Sequence, residues 1–183
     1  KFPRKVHALK QTGKGKFNAV LEGAAAAREK FIMIWDADAT VSVNSSLALI
    51  DIVNNENEFI MGDRLKGKNE KKSFRLLNKL GNYFFSLLWF PLLKFRLLDL
   101  FCGTKIFPKS LIQKFDPKLK SIDNYGDLTI IYAAISTKMQ ITSEPVQYLA
   151  RAYGTTNMMR WSTARKFLSI TFLVYKKFFL RKA

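Results

Sequence analysis

Residues 31–38, which read FIMIWDAD, constrain this chain more than any other stretch, because an apolar run ends in two carboxylates one residue apart. Short apolar runs that are rich in β-branched and aromatic residues are typical of buried strands. Side chains alternate across a strand, so Asp36 and Asp38 are expected to point the same way. Two neighbouring anions repel each other, and a cation between them would remove that repulsion.

A hard divalent cation, Mg2+ or Mn2+, that also binds nucleotide phosphates suits such a pair. The alternative is an Asp-x-Asp turn that is exposed to solvent. A predicted strand at residues 5–9, a helix at 17–29 and a strand at 31–35 indicate a parallel βαβ unit. Ligands of open parallel sheets bind at the carboxyl ends of strands, which favours a metal site at Asp36 and Asp38.

The turn before the predicted helix is basic and rich in glycine, with residues 11–16 reading QTGKGK. It lacks the spacing of a Walker A loop. Helix N-terminal amides and lysines could face an anion here, or the glycines could simply allow close packing. Both interpretations stay open.

The charge of the chain indicates a polyanionic partner. Its 183 residues, enough for one domain, contain 31 Lys and Arg against 14 acidic residues, for a net charge of +17. The basic residues alternate with many Phe and Leu, which suits a membrane interface and would also suit stacking on RNA. Cys102 and His7 are single, so an internal disulfide and a Cys-rich zinc site are excluded.

Two segments combine apolar and basic residues. Residues 80–93 are uncharged, but this stretch is shorter than the roughly 20 residues of a membrane-spanning helix, and Pro91 interrupts it. We expect residues 73–98 to form two helices at a membrane interface, with Lys79, Lys94 and Arg96 towards the headgroups. An ordinary amphipathic core helix is the alternative. The basic and apolar sequence of residues 158–183 predicts a further helix.

The remaining elements are predicted from local signals. They are a helix at 47–54 capped by Asn44 or Ser45, strands at 58–61 and before Phe107, a short helix at 108–114, a turn at Asp116, a helix from Asp127 to Ser136 and a strand within 139–149.

In this order, the motifs resemble those of family-2 glycosyltransferases with the GT-A fold, especially the polyprenyl-phosphate sugar transferases such as dolichyl-phosphate mannose synthase. Residues 13–16 (GKGK) are similar to the family's Gly-Lys-Gly helix start. Asp36 and Asp38 resemble its metal-binding D-x-D motif. Residues 62–64 (GDR) resemble its Gly-Ser-Arg element, with Asp63 in place of serine.

The later motifs are similar but less complete. Asp99, four residues before Gly103, resembles the start of a D-x-x-S-G-F-R element, although residues 102–105 read CGTK. Residues 151–157 resemble an R-x-x-G-x-S-K loop, with Asn157 in place of the lysine. The family's opening strand and P-x-x-N-E turn are absent from the sequence.

The resemblance implies an α/β fold with a mostly parallel sheet flanked by helices. It divides the chain into a partial GT-A catalytic domain at residues 1–165 and a basic amphipathic helix at 166–183, in a juxtamembrane position. The expected location is the cytoplasmic face of a membrane, with the protein either peripheral or anchored by segments outside this chain.

The implied reaction is inverting transfer of a sugar from a nucleotide-diphosphate sugar to a lipid phosphate. Asp36 and Asp38 would hold Mg2+ or Mn2+, with Asp38 the more direct ligand. Four residues are expected to bind phosphates: Lys16, Arg64, Arg151 and Asn157.

The acceptor decides whether a base is needed. A polyprenyl or dolichyl phosphate is already anionic at neutral pH, since its second pKa is about 6. A hydroxyl acceptor on a glycan would instead need a carboxylate base, for which Asp99 and Asp127 are the candidates.

A nucleic-acid-binding module is a further alternative, suggested by charge alone. The sequence shows no RRM signature, zinc ligands or helix-turn-helix, and this alternative leaves Asp36 and Asp38 unexplained. We therefore expect no nucleic-acid partner. The oligomeric state stays open.

Overall fold

The computed structural model describes residues 6–69, 76–151 and 160–180. In chain order the elements are α1 Lys16–Ala26, β1 Phe31–Ile34, α2 Val43–Asp51, β2 Glu58–Asp63, α3 Leu76–Leu93, β3 Lys105–Pro108, a 3-10 helix Lys109–Lys114, α4 Pro117–Ile122, α5 Asp127–Ser136, β4 Gln140–Pro145 and α6 Arg160–Leu180.

The four strands form one sheet in the order β1-β3-β2-β4. Strand β3 is antiparallel to both β1 and β2, whereas β2 and β4 are parallel. The predicted α/β fold with flanking helices is confirmed, and it is consistent with a GT-A domain. The prediction of a mostly parallel sheet is wrong, because the reversed strand β3 lies between β1 and β2 and makes two of the three pairings antiparallel.

This topology brings several loops together at one end of the strands. Lys105, the first residue of β3, pairs with Ile34 at the end of β1 and with Met61 near the end of β2. Asp63, the last residue of β2, pairs with Pro145 at the end of β4. The segments that follow β1, β2 and β4 therefore meet the segment that precedes β3.

The beginning of the chain differs from the sequence prediction. Residues 6–9 are exposed and form no strand, so the predicted βαβ unit is wrong over the described residues. Strand β1 lies at the edge of the four-stranded sheet, and its residues alternate between partly buried and buried. That pattern fits a strand with one face on the core.

The core lies between the sheet and its helices. Phe59 of β2 stacks on Phe107 of β3 with ring centroids 6.1 Å apart, and both side chains are fully buried. Helix α5 is buried over eight consecutive residues, which explains why its sequence is apolar on all sides. Each large apolar side chain that is removed from water contributes about 1.5–3 kcal/mol.

Residues 73–98 do not form two helices over their described part. Helix α3 is continuous through Pro91, which lies in its last turn, and the helix ends where Lys94 adopts a left-handed conformation with φ 63°. Helix α6 packs beside α3, where the indole Nε1 of Trp89 donates to Thr171 Oγ1 at 3.0 Å. Among the described helices, none combines the length and the apolar character needed to cross a membrane.

The N-terminal caps of two helices also differ from the sequence prediction. Ser42 caps α2 and accepts a hydrogen bond from the backbone of Ser45, so neither Asn44 nor Ser45 is the cap. Asp116 caps α4 instead of marking only a turn. The structure confirms the predicted strands β2, β3 and β4. It also confirms the predicted helix from Asp127 to Ser136. The domain division at residue 165 stays a prediction, and α6 runs through it.

Candidate active site

All four predicted acidic site residues form an ion pair with a different basic side chain. The pairs are Asp36 with Lys16 at 2.7 Å, Asp38 with Arg151 at 2.8 Å, Asp99 with Arg64 at 2.7 Å and Asp127 with Lys105 at 2.5 Å. Three of these cations were predicted as phosphate-binding residues. The fourth, Lys105, stood out in the sequence only as a departure from the family motif.

Asp36 and Asp38 lie in a turn and not in the strand itself. Strand β1 ends at Ile34, the N–H of Ala39 donates to the carbonyl of Asp36 at 3.0 Å, and Ala39 has φ 50°. The alternation of a strand therefore no longer applies to the two carboxylates. The repulsion expected between them is offset in the structure by a separate protein cation for each carboxylate.

Gly103 allows the carboxylate of Asp36 to lie close to the backbone before β3. A Cβ atom at Gly103 would lie 2.1 Å from Asp36 Oδ2 and 2.7 Å from Lys16 Nζ. No side chain larger than hydrogen fits there unless this ion pair moves. The glycine of the predicted Asp99–Gly103 element is therefore explained by the position of the D-x-D carboxylate.

Lys16 is the first residue of α1, and burial alone would lower the pKa of its ammonium group. The carboxylates of Asp127 and Asp36 outweigh that effect and raise the pKa above its ordinary value. Gly15 has φ 89°, and its Cβ would lie 3.1 Å from the carbonyl of Asn124. Close packing thus accounts for this glycine, and phosphate binding by Lys16 stays a prediction.

Both oxygens of Asp38 have partners. Its Oδ1 accepts hydrogen bonds from the backbone N–H and the hydroxyl of Thr40, at 3.2 and 2.9 Å. Its Oδ2 contacts Arg151 Nη2. Arg151 is the last described residue before residues 152–159, and the predicted phosphate-binding residue Asn157 lies outside the described residues.

Arg64 and Asp99 form a bidentate ion pair. Arg64 Nε donates to Oδ2 and Nη2 to Oδ1, both at 2.7 Å, and the backbone N–H of Arg64 also donates to Oδ2 at 3.0 Å. Burial alone would lower the pKa of Arg64, but the Asp99 carboxylate raises it well above its ordinary value. The role of Asp99 as a base stays a prediction, and its observed contacts orient Arg64.

Lys105 is fully buried and donates to Asp127 Oδ1 and to the carbonyl of Cys102. Asp127 is the first residue of α5, where helix N-terminal amides favour an anion. Burial raises the pKa of the neighbouring Cys102 thiol to about 11, so this thiol is neutral at physiological pH. Sequence analysis missed Lys105, although a lysine within an apolar strand pattern signals a buried partner.

Glu22 is a second residue that sequence analysis missed. Its carboxylate accepts hydrogen bonds from the hydroxyl of Thr12 at 2.6 Å and from the N–H groups of Thr12 and Gly13, and the amide of Asn18 also donates to it. The Thr12 contacts, followed by that of Gly13, lower the pKa of Glu22 to about 2. Glu22 thereby fixes the glycine-rich loop to α1.

Asp36 and Asp38, at this end of the strands, could hold a metal together with a substrate. Among the described residues, no three His, Cys, Asp or Glu side chains come close enough to hold an ion on their own. Mg2+ is commonly bound by one or two carboxylates plus substrate phosphates and water, so the oxygen donors of Asp36 and Asp38 fit such an ion. Metal binding by Asp36 and Asp38 stays a prediction.

Comparison with known proteins identifies the family of the chain. Residues 1–115 match the model of the glycosyl transferase family 2. Over 157 residues the chain is 28% identical to a UDP-N-acetylglucosamine–dolichyl-phosphate N-acetylglucosaminyltransferase of Methanococcus voltae, an alignment that covers 82% of this chain and 62% of that enzyme. The chain thus spans about three fifths of the length of that relative. Because the family match covers more than half of the chain and includes both metal-candidate carboxylates, the chain belongs to glycosyl transferase family 2.

Proposed function

We propose that this protein transfers a sugar, with inversion, from a nucleotide-diphosphate sugar to a polyprenyl or dolichyl phosphate at a membrane surface. One observation carries the proposal. At one end of the strands the structure has two carboxylates, Asp36 and Asp38, which are the candidate metal ligands. The cations Lys16, Arg64 and Arg151 lie at the same end of the strands. A diphosphate donor and a phosphate acceptor both require such positive charge.

The relative from Methanococcus voltae supports the choice of substrates. Its name states that it uses UDP-N-acetylglucosamine and dolichyl phosphate. We therefore take UDP-N-acetylglucosamine as the first donor to test and dolichyl phosphate as the first acceptor.

Asp36 and Asp38 would hold Mg2+ or Mn2+, with Asp38 as the more direct ligand. When bound, the metal would neutralise charge on the diphosphate leaving group. Lys16 and Arg151 lie next to these carboxylates and would contact the same phosphates. Arg64 is held in place by Asp99 and would supply positive charge to the acceptor phosphate.

The state of the two candidate bases favours a phosphate acceptor over a hydroxyl acceptor. Both oxygens of Asp99 are bonded to Arg64, and Asp127 is bonded to the buried Lys105. Each carboxylate is thus already engaged by a cation in the structure. A lipid phosphate needs no such base, because its oxygen is anionic at neutral pH.

Membrane contact is proposed for exposed apolar side chains of α3 and of α6, two helices that pack against each other. Helix α3 exposes Leu76, Leu80 and Leu87, and α6 exposes Trp161 and Phe172, each of which is more than half exposed. We call these five side chains the α3–α6 surface. An apolar surface on a chain of net charge +17 suits an anionic membrane, and we place it on the cytoplasmic face.

A transfer assay tests the proposed function. The purified protein is incubated with UDP-N-acetylglucosamine labelled in the sugar, Mg2+ or Mn2+, and dolichyl phosphate in detergent. We expect label in the lipid fraction, and none when the metal is chelated. Label that enters only a hydroxyl acceptor such as a chito-oligosaccharide would contradict the lipid-phosphate proposal in favour of a glycan-directed transferase.

A further inference from the structure

We propose that Lys16 and Arg151 are exchangeable counter-ions, which neutralise Asp36 and Asp38 until a metal arrives together with the donor diphosphate and then move to the phosphates. This inference rests on the proposed function. It goes further by assigning two states to each of these two side chains.

The exposure of the four ion pairs separates them into two kinds. Lys16 and Asp36 have side chains that are 31% and 41% exposed, and Arg151 and Asp38 have side chains that are 37% and 21% exposed. The other two pairs are largely buried, with 14% and 0% for Arg64 and Asp99, and 0% and 11% for Lys105 and Asp127.

Exposure decides which pairs can exchange. Breaking a buried pair leaves an uncompensated charge in the protein interior, which is strongly unfavourable. Breaking a partly exposed pair costs less, because water solvates the separated groups. The pairs on Asp36 and Asp38 are therefore able to open, whereas the pairs of Asp99 and Asp127 are fixed parts of the site.

A metal and the two basic side chains would compete for the same carboxylates. Lys16 Nζ lies 2.7 Å from Asp36 Oδ1, and Arg151 Nη2 lies 2.8 Å from Asp38 Oδ2. A metal ion held by Asp36 and Asp38 would add positive charge next to Lys16 and Arg151 and would repel both side chains. Lys16 and Arg151 must therefore compete with a metal that arrives alone.

The charges of the four side chains explain why a diphosphate reverses this competition. Two carboxylates and two basic side chains sum to zero, so a divalent ion alone would leave the site positive. The diphosphate brings negative charge that offsets the metal, and its oxygens offer Lys16 and Arg151 new partners. Both side chains are long and flexible enough to move from carboxylate to phosphate without a change in the backbone.

The test measures Mn2+ binding by electron paramagnetic resonance, with and without UDP. We expect wild-type protein to bind Mn2+ at least about tenfold more tightly when UDP is present. In Lys16→Met and Arg151→Gln, Mn2+ alone should bind at least about fivefold more tightly than in wild type, because one competitor is gone. The affinity for UDP in the presence of Mn2+ should fall in both variants.

Lys30→Met is the matched control. It removes the same charge at the opposite end of β1, where Lys30 faces Glu56 at 3.7 Å and its side chain is 83% exposed. We expect both affinities to stay at wild-type values in this variant. Thermal melting checks that all three variants are folded.

Three outcomes would overturn this inference without contradicting the proposed function. One is Mn2+ binding that is equally tight with and without UDP, and another is an unchanged or weaker affinity for Mn2+ alone in both site variants. An equal gain in Lys30→Met would assign the effect to net charge and would also overturn it. Absence of Mn2+ binding in every arm would remove the metal site itself, a result that the separate transfer assay distinguishes from failure of the proposed function.

Discussion

Lys105 Nζ lies 2.5 Å from Asp127 Oδ1, and the Lys105 side chain is fully buried. This pair joins the beginning of β3 to the N-terminus of α5. Because Asp127 also raises the pKa of Lys16, it links the buried interior to the exposed part of the site.

Lys105→Met is expected to destabilise the protein by about 3 kcal/mol, because Asp127 would remain buried without its cation. Urea denaturation followed by circular dichroism measures this change. The double variant Lys105→Met/Asp127→Asn should recover a large part of the loss, since no uncompensated charge remains. Equal stability of the single and double variants would contradict this account of the pair.

Gly103→Ala is expected to keep the fold but to weaken binding of Mn2+ and UDP by about tenfold. Its Cβ would lie 2.1 Å from Asp36 Oδ2, at the end of a side chain that can move away. Calorimetric titration measures the binding. Gly23→Ala in α1 is the control, because its Cβ would meet nothing within 4 Å, and binding should be unchanged. Wild-type binding in Gly103→Ala would argue against a metal role for Asp36.

Asp38→Asn is expected to abolish metal-dependent binding of the donor without unfolding the domain. The amide keeps the shape that accepts hydrogen bonds from Thr40 but loses the charge that a hard cation requires. Titration with UDP-N-acetylglucosamine and Mn2+ tests this expectation, and thermal melting serves as the check of folding. Unchanged affinity would exclude Asp38 as a metal ligand.

The glycine-rich loop is expected to stay attached to α1 down to unusually low pH. The pKa of Glu22 is lowered from 4.5 to about 2, so its contribution to stability is fully present above about pH 4.5 and is lost as the pH falls through about 2. Amide NMR shifts of Thr12 and Gly13 should therefore titrate near pH 2. Titration of these amides near pH 4.5 would show that the contacts do not form.

Glu22→Gln removes the charge that makes these hydrogen bonds strong. We expect faster amide exchange at Thr12 and Gly13 at pH 7. Asp51→Asn, an exposed position at the end of α2, is the control and should leave both amides unchanged.

Binding to anionic vesicles is expected to depend on both salt and the α3–α6 surface. The protein should sediment with phosphatidylserine-containing vesicles at low salt and less at high salt, because ions screen surface charge. Leu87→Ser and Phe172→Ser, at positions that are 73% and 71% exposed, should weaken binding several-fold. Leu47→Ser in α2 is the control. No sedimentation at low salt would contradict the membrane proposal.

Local patterns in the sequence predicted much of the secondary structure and the residue types of the site. Apolar runs with turn residues at their ends identified β2, β3 and β4, and helical spacing identified α5. The order of the short motifs indicated the family, which the match over residues 1–115 confirms. These predictions are correct because each depends on residues that are near one another in the chain.

The predictions failed where the outcome depended on distant parts of the chain. Alternation of apolar residues identifies a strand but does not give its direction, and the reversed β3 between β1 and β2 changed the expected pairing. Pro91 predicted a break between two helices, yet α3 continues through it and ends at Leu93. The proline costs one backbone hydrogen bond, and only two helical residues follow it.

The sequence by itself determined which carboxylates and cations this protein could use, because their types and spacing are written in short motifs. Only the tertiary structure decided which of them are partners. Arg64 meets Asp99 across 35 positions and Lys105 meets Asp127 across 22, contacts that depend on the order of strands in the sheet. Burial, which no local pattern reveals, then decides which of these pairs are fixed and which are able to exchange for a metal and a diphosphate.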